Sequence, residues 1–187
     1  MKRKIAARRP RADAKRNRER LLEAAMAVFG KKGAHASLEE IARAAGVGIG
    51  TLYRHFPTRE ALIEAVYANE VDQLVRAADR LAKSRAPLEA LREWMRMFVD
   101  YMAAKHGMAE VLKSIAGTAT YASSGTQMKD AITMLAGRAV ESGDIHLNVE
   151  PLDLLRALYG VTGSSAGAEP RRAAKRVVDI LIQGVRK

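Results

Sequence analysis

The chain has 187 residues, a formal net charge of +11 and no cysteine, which excludes a disulfide scaffold and any thiolate metal site. Hydrophobic residues make up 48% and aromatics only 5%, so the core must be built from Ala, Leu, Val and Met, mostly helix formers that point to an all-α fold. Residues 1–60 hold 15 Lys and Arg against 6 Asp and Glu, whereas 61–187 hold 17 against 15, which makes the first third a candidate for binding a polyanion.

Residues 1–13 have almost nothing apolar to bury and are expected to form a disordered basic arm. The arm lacks an apolar segment, so it does not read as a secretory signal. No run approaches the ~20 apolar residues of a membrane span, and a cytoplasmic protein without membrane association is expected. A first helix starts near Ala14, with Leu22, Ala25, Met26 and Phe29 as its apolar stripe. Gly30 and Gly33 close it.

Ser37, with Glu40 three residues later, has capping-box spacing and starts a short helix with Leu38, Ile41 and Ala45 inward. Gly46 stops that helix. A very short helix follows from Ile49, and Pro57 ends it. Thr58 then caps a run of about 25 residues carrying Ile63, Tyr67, Val71, Leu74, Ala78 and Leu81, long for a small globular protein.

A fifth helix begins at Pro87, with Leu91, Trp94, Met95, Phe98 and Met102 on one stripe. A shorter one carries Val111, Leu112 and Ile115. Residues 117–125 (GTATYASSG) read as a loop before a helix over 126–142 with Met128, Ile132, Leu135 and Ala139. A loop at 143–151 precedes a helix with Leu152, Leu155, Leu158 and Tyr159. GSSAGAEP separates it from a last helix with Val177, Ile180, Leu181 and Val185. No strand and no internal repeat is expected.

Two short helices joined through a glycine turn, after a supporting helix, form a helix-turn-helix. The second helix must be short to lie in a major groove about 12 Å wide. Leu52 and Phe56, at i and i+4, anchor it, and Thr51, Arg54 and His55 fall on the other side. Residues 37–62, SLEEIARAAGVGIGTLYRHFPTREAL, resemble the DNA-binding signature of the TetR family of bacterial transcriptional repressors.

The resemblance implies about nine helices, the first three binding DNA and the rest forming a regulatory domain. The expected division is an arm over 1–13, a DNA-binding domain over 14–57 and a ligand-binding and dimerisation domain over 58–187. Ser37 would contact phosphate. Thr51, Tyr53 and His55 match positions that touch the DNA backbone, and Gly50 lets it approach closely. Ile49 and Arg54 stand at variable positions and are the candidates for reading bases. Arg59 stands where a phosphate-contacting Lys is usual. Gly48 replaces a usual Ser; it still caps the helix but has no hydroxyl for a phosphate.

Catalysis finds no support. His35, His106 and His146 have no ligand spacing, no nucleophile elbow is present, and the 117–125 loop lacks the Lys of a phosphate-binding loop. No metal and no cofactor are expected. Six of the eight methionines lie between Met95 and Met134. They are either plain core or, as the family's architecture favours, part of an effector cavity with walls from Trp94, Met95, Phe98, Tyr101, Met102, Tyr121 and Met128. With no clear charge on these stripes, a small, largely apolar effector is expected.

The expected function is therefore a ligand-responsive repressor that binds a palindromic operator in double-stranded DNA. It would act as a homodimer through the last two helices, with Gly160, Gly163 and Ala174 allowing close approach. A DNA-binding activator on the same fold, and a small-molecule-sequestering protein with a vestigial DNA-binding head, are the alternatives.

Overall fold

The computed structural model describes residues 8–162 and 168–187. Among them are nine α-helices: α1 (Arg8–Lys32), α2 (Leu38–Ala44), α3 (Ile49–His55), α4 (Arg59–Ser84), α5 (Pro87–Gly107), α6 (Ala109–Leu112), α7 (Ala119–Glu141), α8 (Pro151–Thr162) and α9 (Ala168–Val185). The fold is all-α. The only β-type pairing among the described residues is one isolated bridge, Ile145 with Arg186.

The chain divides into two compact units. The first contains α1–α3, α4 up to Asn69, and Met108–Gly117, which returns to it as α6 and a 3₁₀ turn. The second contains the rest of α4, α5, α7, α8 and α9. The expected boundary at 57/58 lies just before α4, whose residues up to Asn69 fall in the first unit.

In the first unit Leu21, Leu22, Ala25 and Phe29 of α1 are buried, and α1 packs on α2. Met26 is only half-buried, so Leu21 takes the place expected of it. α1 also starts earlier than expected. Residues 8–13 of the expected arm are helical, and residues 1–7 lie outside the described residues.

The core of the second unit forms around α5. Leu91, Trp94, Met95, Phe98, Val99 and Met102 are all buried on it. α7 and α9 flank α5, and α8 packs on both of them. Residues 119–125, expected as loop, are the first two turns of α7. Thr118 is the N-cap, its Oγ1 accepting the Tyr121 N–H at 3.3 Å. α9 is clamped to α5 by two carboxylates: Asp179 receives Arg92 at 2.8 Å and Arg96 at 3.4 Å, and Asp100 receives Arg171 and Lys175.

α9 turns its apolar rows differently from the expected stripe. Ala174, Val178 and Ile182 are the buried row. Val177, Leu181 and Val185 are half-buried, and Ile180 is 64% exposed. Tyr159, expected inward on α8, is 59% exposed. On α9 the face that carries Ile180 is left uncovered among the described residues. Ala174 is not on it, and Gly163 lies outside the described residues.

Candidate nucleic-acid interface

The approach to α3 is built by local chemistry. Ser37 caps α2 with both halves of the capping box: its Oγ accepts the Glu40 N–H at 3.1 Å, and the Ser37 N–H donates to Glu40 Oε2 at 3.2 Å. Accepting that bond leaves the Ser37 hydroxyl hydrogen as a donor, the form a phosphate oxygen requires. The hydrogen bond from Lys32, together with that from the Ser37 N–H, holds the Glu40 carboxyl below its ordinary pKa, so the acceptor stays ionised.

α2 ends in a left-handed glycine. Gly46 has φ +64°, its N–H bonds the Arg43 carbonyl, and Val47 N–H reaches back to the Ala42 carbonyl, each at 3.0 Å. This is the Schellman closure, and the positive φ favours glycine. Gly48 then serves as N-cap of α3 with no side-chain bond, its carbonyl accepting from Thr51 and Leu52.

α3 has seven residues, about 10 Å of helix at 1.5 Å per residue, short enough for a major groove. Leu52 and Phe56 are buried at 0% and 3% exposure. The solvent row is Ile49, Gly50, Tyr53 and Arg54, with Ile49 37% and Tyr53 46% exposed. Thr51 and His55, expected to face outward, are half-buried at its edges. Arg54 folds back along its own helix, its Nε donating to the Gly50 carbonyl at 3.2 Å and its Nη2 to Thr51 Oγ1 at 2.9 Å.

Arg59 is placed differently from the other expected contacts. Its guanidinium donates to the carbonyls of Ala34 and Ala36 and lies 5.1 Å from the centroid of the Phe29 ring. These contacts tie the Gly33–His35 turn to the start of α4, so this guanidinium already serves the fold. Phe56 carries Arg18 over its ring at 5.4 Å.

In the second unit α5, α7 and α8 enclose a cleft of about 240 Å³. Phe98, Tyr101, Met102 and Met128 line it, as expected. Trp94 and Met95 do not. Both are fully buried, and Trp94 Nε1 donates to the Leu74 carbonyl at 2.8 Å, which makes them core. Tyr121 is not on the lining; Lys105, which is, holds its Nζ 4.8 Å from the Tyr121 ring centroid. Ser124, Gly125, Leu152, Leu155, Arg156 and Tyr159 complete the wall. Lys105 follows Phe98 and Tyr101 at helical spacing and was legible in the sequence. The α8 wall was not, because only tertiary packing brings it to α5.

A short exposed helix, set by a glycine turn on a capped partner in a basic unit, defines a helix-turn-helix protein of the DNA-binding class. Comparison with known proteins agrees. Residues 21–66 match the model of bacterial regulatory proteins of the tetR family, and residues 86–187 match the C-terminal domain of SbtR-like transcriptional regulators. The structure superposes on a TetR transcriptional regulator from Streptomyces coelicolor with a TM-score of 0.83 and 43% identity, covering 90% of this chain and 98% of that one. A TetR regulatory protein from Mycobacterium vanbaalenii gives 0.79 and 33%, covering 95% and 99%. The HTH-type transcriptional regulator UidR of Escherichia coli is 36% identical over 91 residues, 48% of this chain; the matched segment spans 41% of UidR's length. The chain belongs to the TetR family: it is a DNA-binding transcriptional regulator and not an enzyme. Among the described residues no His, Cys, Asp and Glu cluster could hold a metal ion, and no helix is long and apolar enough to cross a membrane.

Proposed function

We propose that the protein is a homodimeric repressor that binds a palindromic operator in the cytoplasm and is released by a small effector. The observation that carries the DNA half is the exposed row Ile49, Gly50, Tyr53 and Arg54 on a helix fixed from behind by Leu52 and Phe56. Ile49 and Arg54 read bases; Ser37, Thr51, Tyr53 and His55 hold the backbone; Gly48 and Gly50 let it approach. Arg59 supports them by fixing the turn before Ser37.

The dimer uses α8 and α9. The uncovered Ile180 supports this, because a large apolar side chain more than half exposed gains by finding a partner. Two-fold symmetry then requires half-sites about one helical turn, ~34 Å, or a multiple apart. The effector enters the cleft of α5, α7 and α8. α4 is one helix shared by both units, so a shift of it on ligand binding changes the half-site separation. Operator DNA must weaken ligand binding by the same factor.

Selection of bound sequences from a random DNA pool, followed by footprinting, tests the reading. One discrete palindrome protected over two half-sites is expected. Diffuse coverage without sequence preference would overturn it.

A further inference from the structure

The cleft of α5, α7 and α8 has an apolar floor of Phe98, Met102, Met128, Leu152 and Leu155. Its two charged lining residues, Lys105 on α5 and Arg156 on α8, are both cationic, and no Asp or Glu is part of the wall. Asp153, outside the wall, accepts Arg156 Nη1 at 2.6 Å. A guanidinium has five N–H donors and an ammonium three, so both can donate to an incoming anion while keeping these contacts. Lys105 is also braced by the Tyr121 ring at 4.8 Å, which places its charge between α5 and α7.

Resting on the reading of this cleft as the effector site, we propose that its ligand is a small amphiphilic carboxylate. The apolar body lies on Phe98, Met102, Met128 and Leu155, and the carboxylate is directed to Lys105 and Arg156. A cationic ligand would meet two like charges, and a neutral one would leave the strongest electrostatic feature of the wall unused. A cleft of about 240 Å³ has room for a compact alkyl or aryl acid. The largely apolar effector expected from sequence was read without Lys105, which lines the cleft.

Isothermal titration of the full chain with matched acids, alcohols and amines tests this. The probes are hexanoate, octanoate and 3-phenylpropanoate, each with its alcohol and amine. At least one acid should bind about tenfold or more tightly than its alcohol, with its amine weakest. Lys105→Met with Arg156→Met should erase the difference between acid and alcohol, and Lys105→Arg should keep it. Circular dichroism verifies that each variant is folded, and the exposed Arg156→Gln serves alone if the double variant is not. An alcohol binding as tightly as its acid, or a folded double variant that keeps the preference, overturns the carboxylate assignment and leaves the cleft as an effector site. No binding by any of the nine probes overturns both.

Discussion

Arg54 Nη2 donates to Thr51 Oγ1 at 2.9 Å, one helical turn back at the edge of the exposed row. The side chain is thereby held along the helix, and reading a base requires it to exchange Thr51 and the Gly50 carbonyl for a base edge. Arg is suited to this because it can grip the O6 and N7 of guanine together. Arg54→Ala should therefore cost about 1–3 kcal/mol on the preferred operator and relax the preference at one position per half-site. Tyr53→Ala should weaken all sequences alike. Binding assays over single-base operator variants separate the two, and a uniform loss with Arg54→Ala would make Arg54 a phosphate contact.

The two carbonyls and the ring around Arg59 make a different claim on that residue. A guanidinium bridges Ala34 and Ala36 with two N–H groups of fixed geometry, which a lysine cannot reproduce. Hydrogen bonds to a charged donor are worth about 1.5–3 kcal/mol, and partial exposure reduces this. Arg59→Lys and Arg59→Ala should both lower the unfolding free energy measured in urea, by roughly 1 kcal/mol or more. If Arg59 instead serves mainly as a phosphate contact, Arg59→Lys keeps operator affinity and stability while Arg59→Ala loses only affinity.

Most of the basic excess lies in residues 1–60, so operator affinity should fall steeply with salt. With about four phosphates neutralised per subunit, the log–log slope of the dimer is near −7. Removing residues 2–11 should flatten it and leave the preferred sequence unchanged. A slope shallower than about −3 would show that the basic first third is not on the DNA.

The parts of the fold that were legible are those where a short-range rule decides alone. The capping box at Ser37, the glycine turn at Gly46 and the buried rows of α4 and α5 follow from spacing. The start of α7 was not legible, because its Ser, Thr and Gly content reads as turn. In the helix, Ser124 Oγ satisfies itself on the Tyr121 carbonyl at 2.8 Å, which removes the objection. Residues 8–13 carry few apolar side chains, yet arginine is a good helix former and Asp13 pairs with Arg16. α9 carries two apolar rows, and periodicity cannot say which one the chain covers. The same limit hid the α8 wall of the cleft, where Leu152, Leu155 and Arg156 meet α5 only through packing.

Asp100 gives the second unit a defined response to acid. Burial raises its pKa, but hydrogen bonds from Arg171 and Lys175 and the charges of both outweigh it, and the net shift is down from 3.8. In the unfolded chain the group titrates near that ordinary value. Its contribution is therefore complete above pH 3.8 and is lost as pH falls through the lower folded value. The carboxylate is 37% exposed, which limits the contribution to about 1 kcal/mol. Asp100→Asn should lower the unfolding free energy measured in urea at neutral pH by that amount, and the difference should close well below pH 3.8. An unchanged difference across that range would mean that the ion pair contributes nothing.

Ile180 is 64% exposed on a helix whose other face is fully covered within the chain. A substitution there removes almost nothing from the subunit's own core, so the stability of an isolated chain should change by no more than about 0.5 kcal/mol. In a dimer through α8 and α9 the same position is enclosed by the partner, and each subunit covers on the order of 800 Å² in an interface of standard size. Ile180→Arg would place a charge from each copy into that enclosure without a counter-charge, a costly arrangement. Sedimentation equilibrium should thus show a dimer for the wild type and a monomer for Ile180→Arg, with helicity retained. Operator affinity should fall with the loss of the dimer, because a monomer engages one half-site and loses the gain of linked binding. A variant that remains dimeric would remove Ile180 from the interface and place the contact on another face.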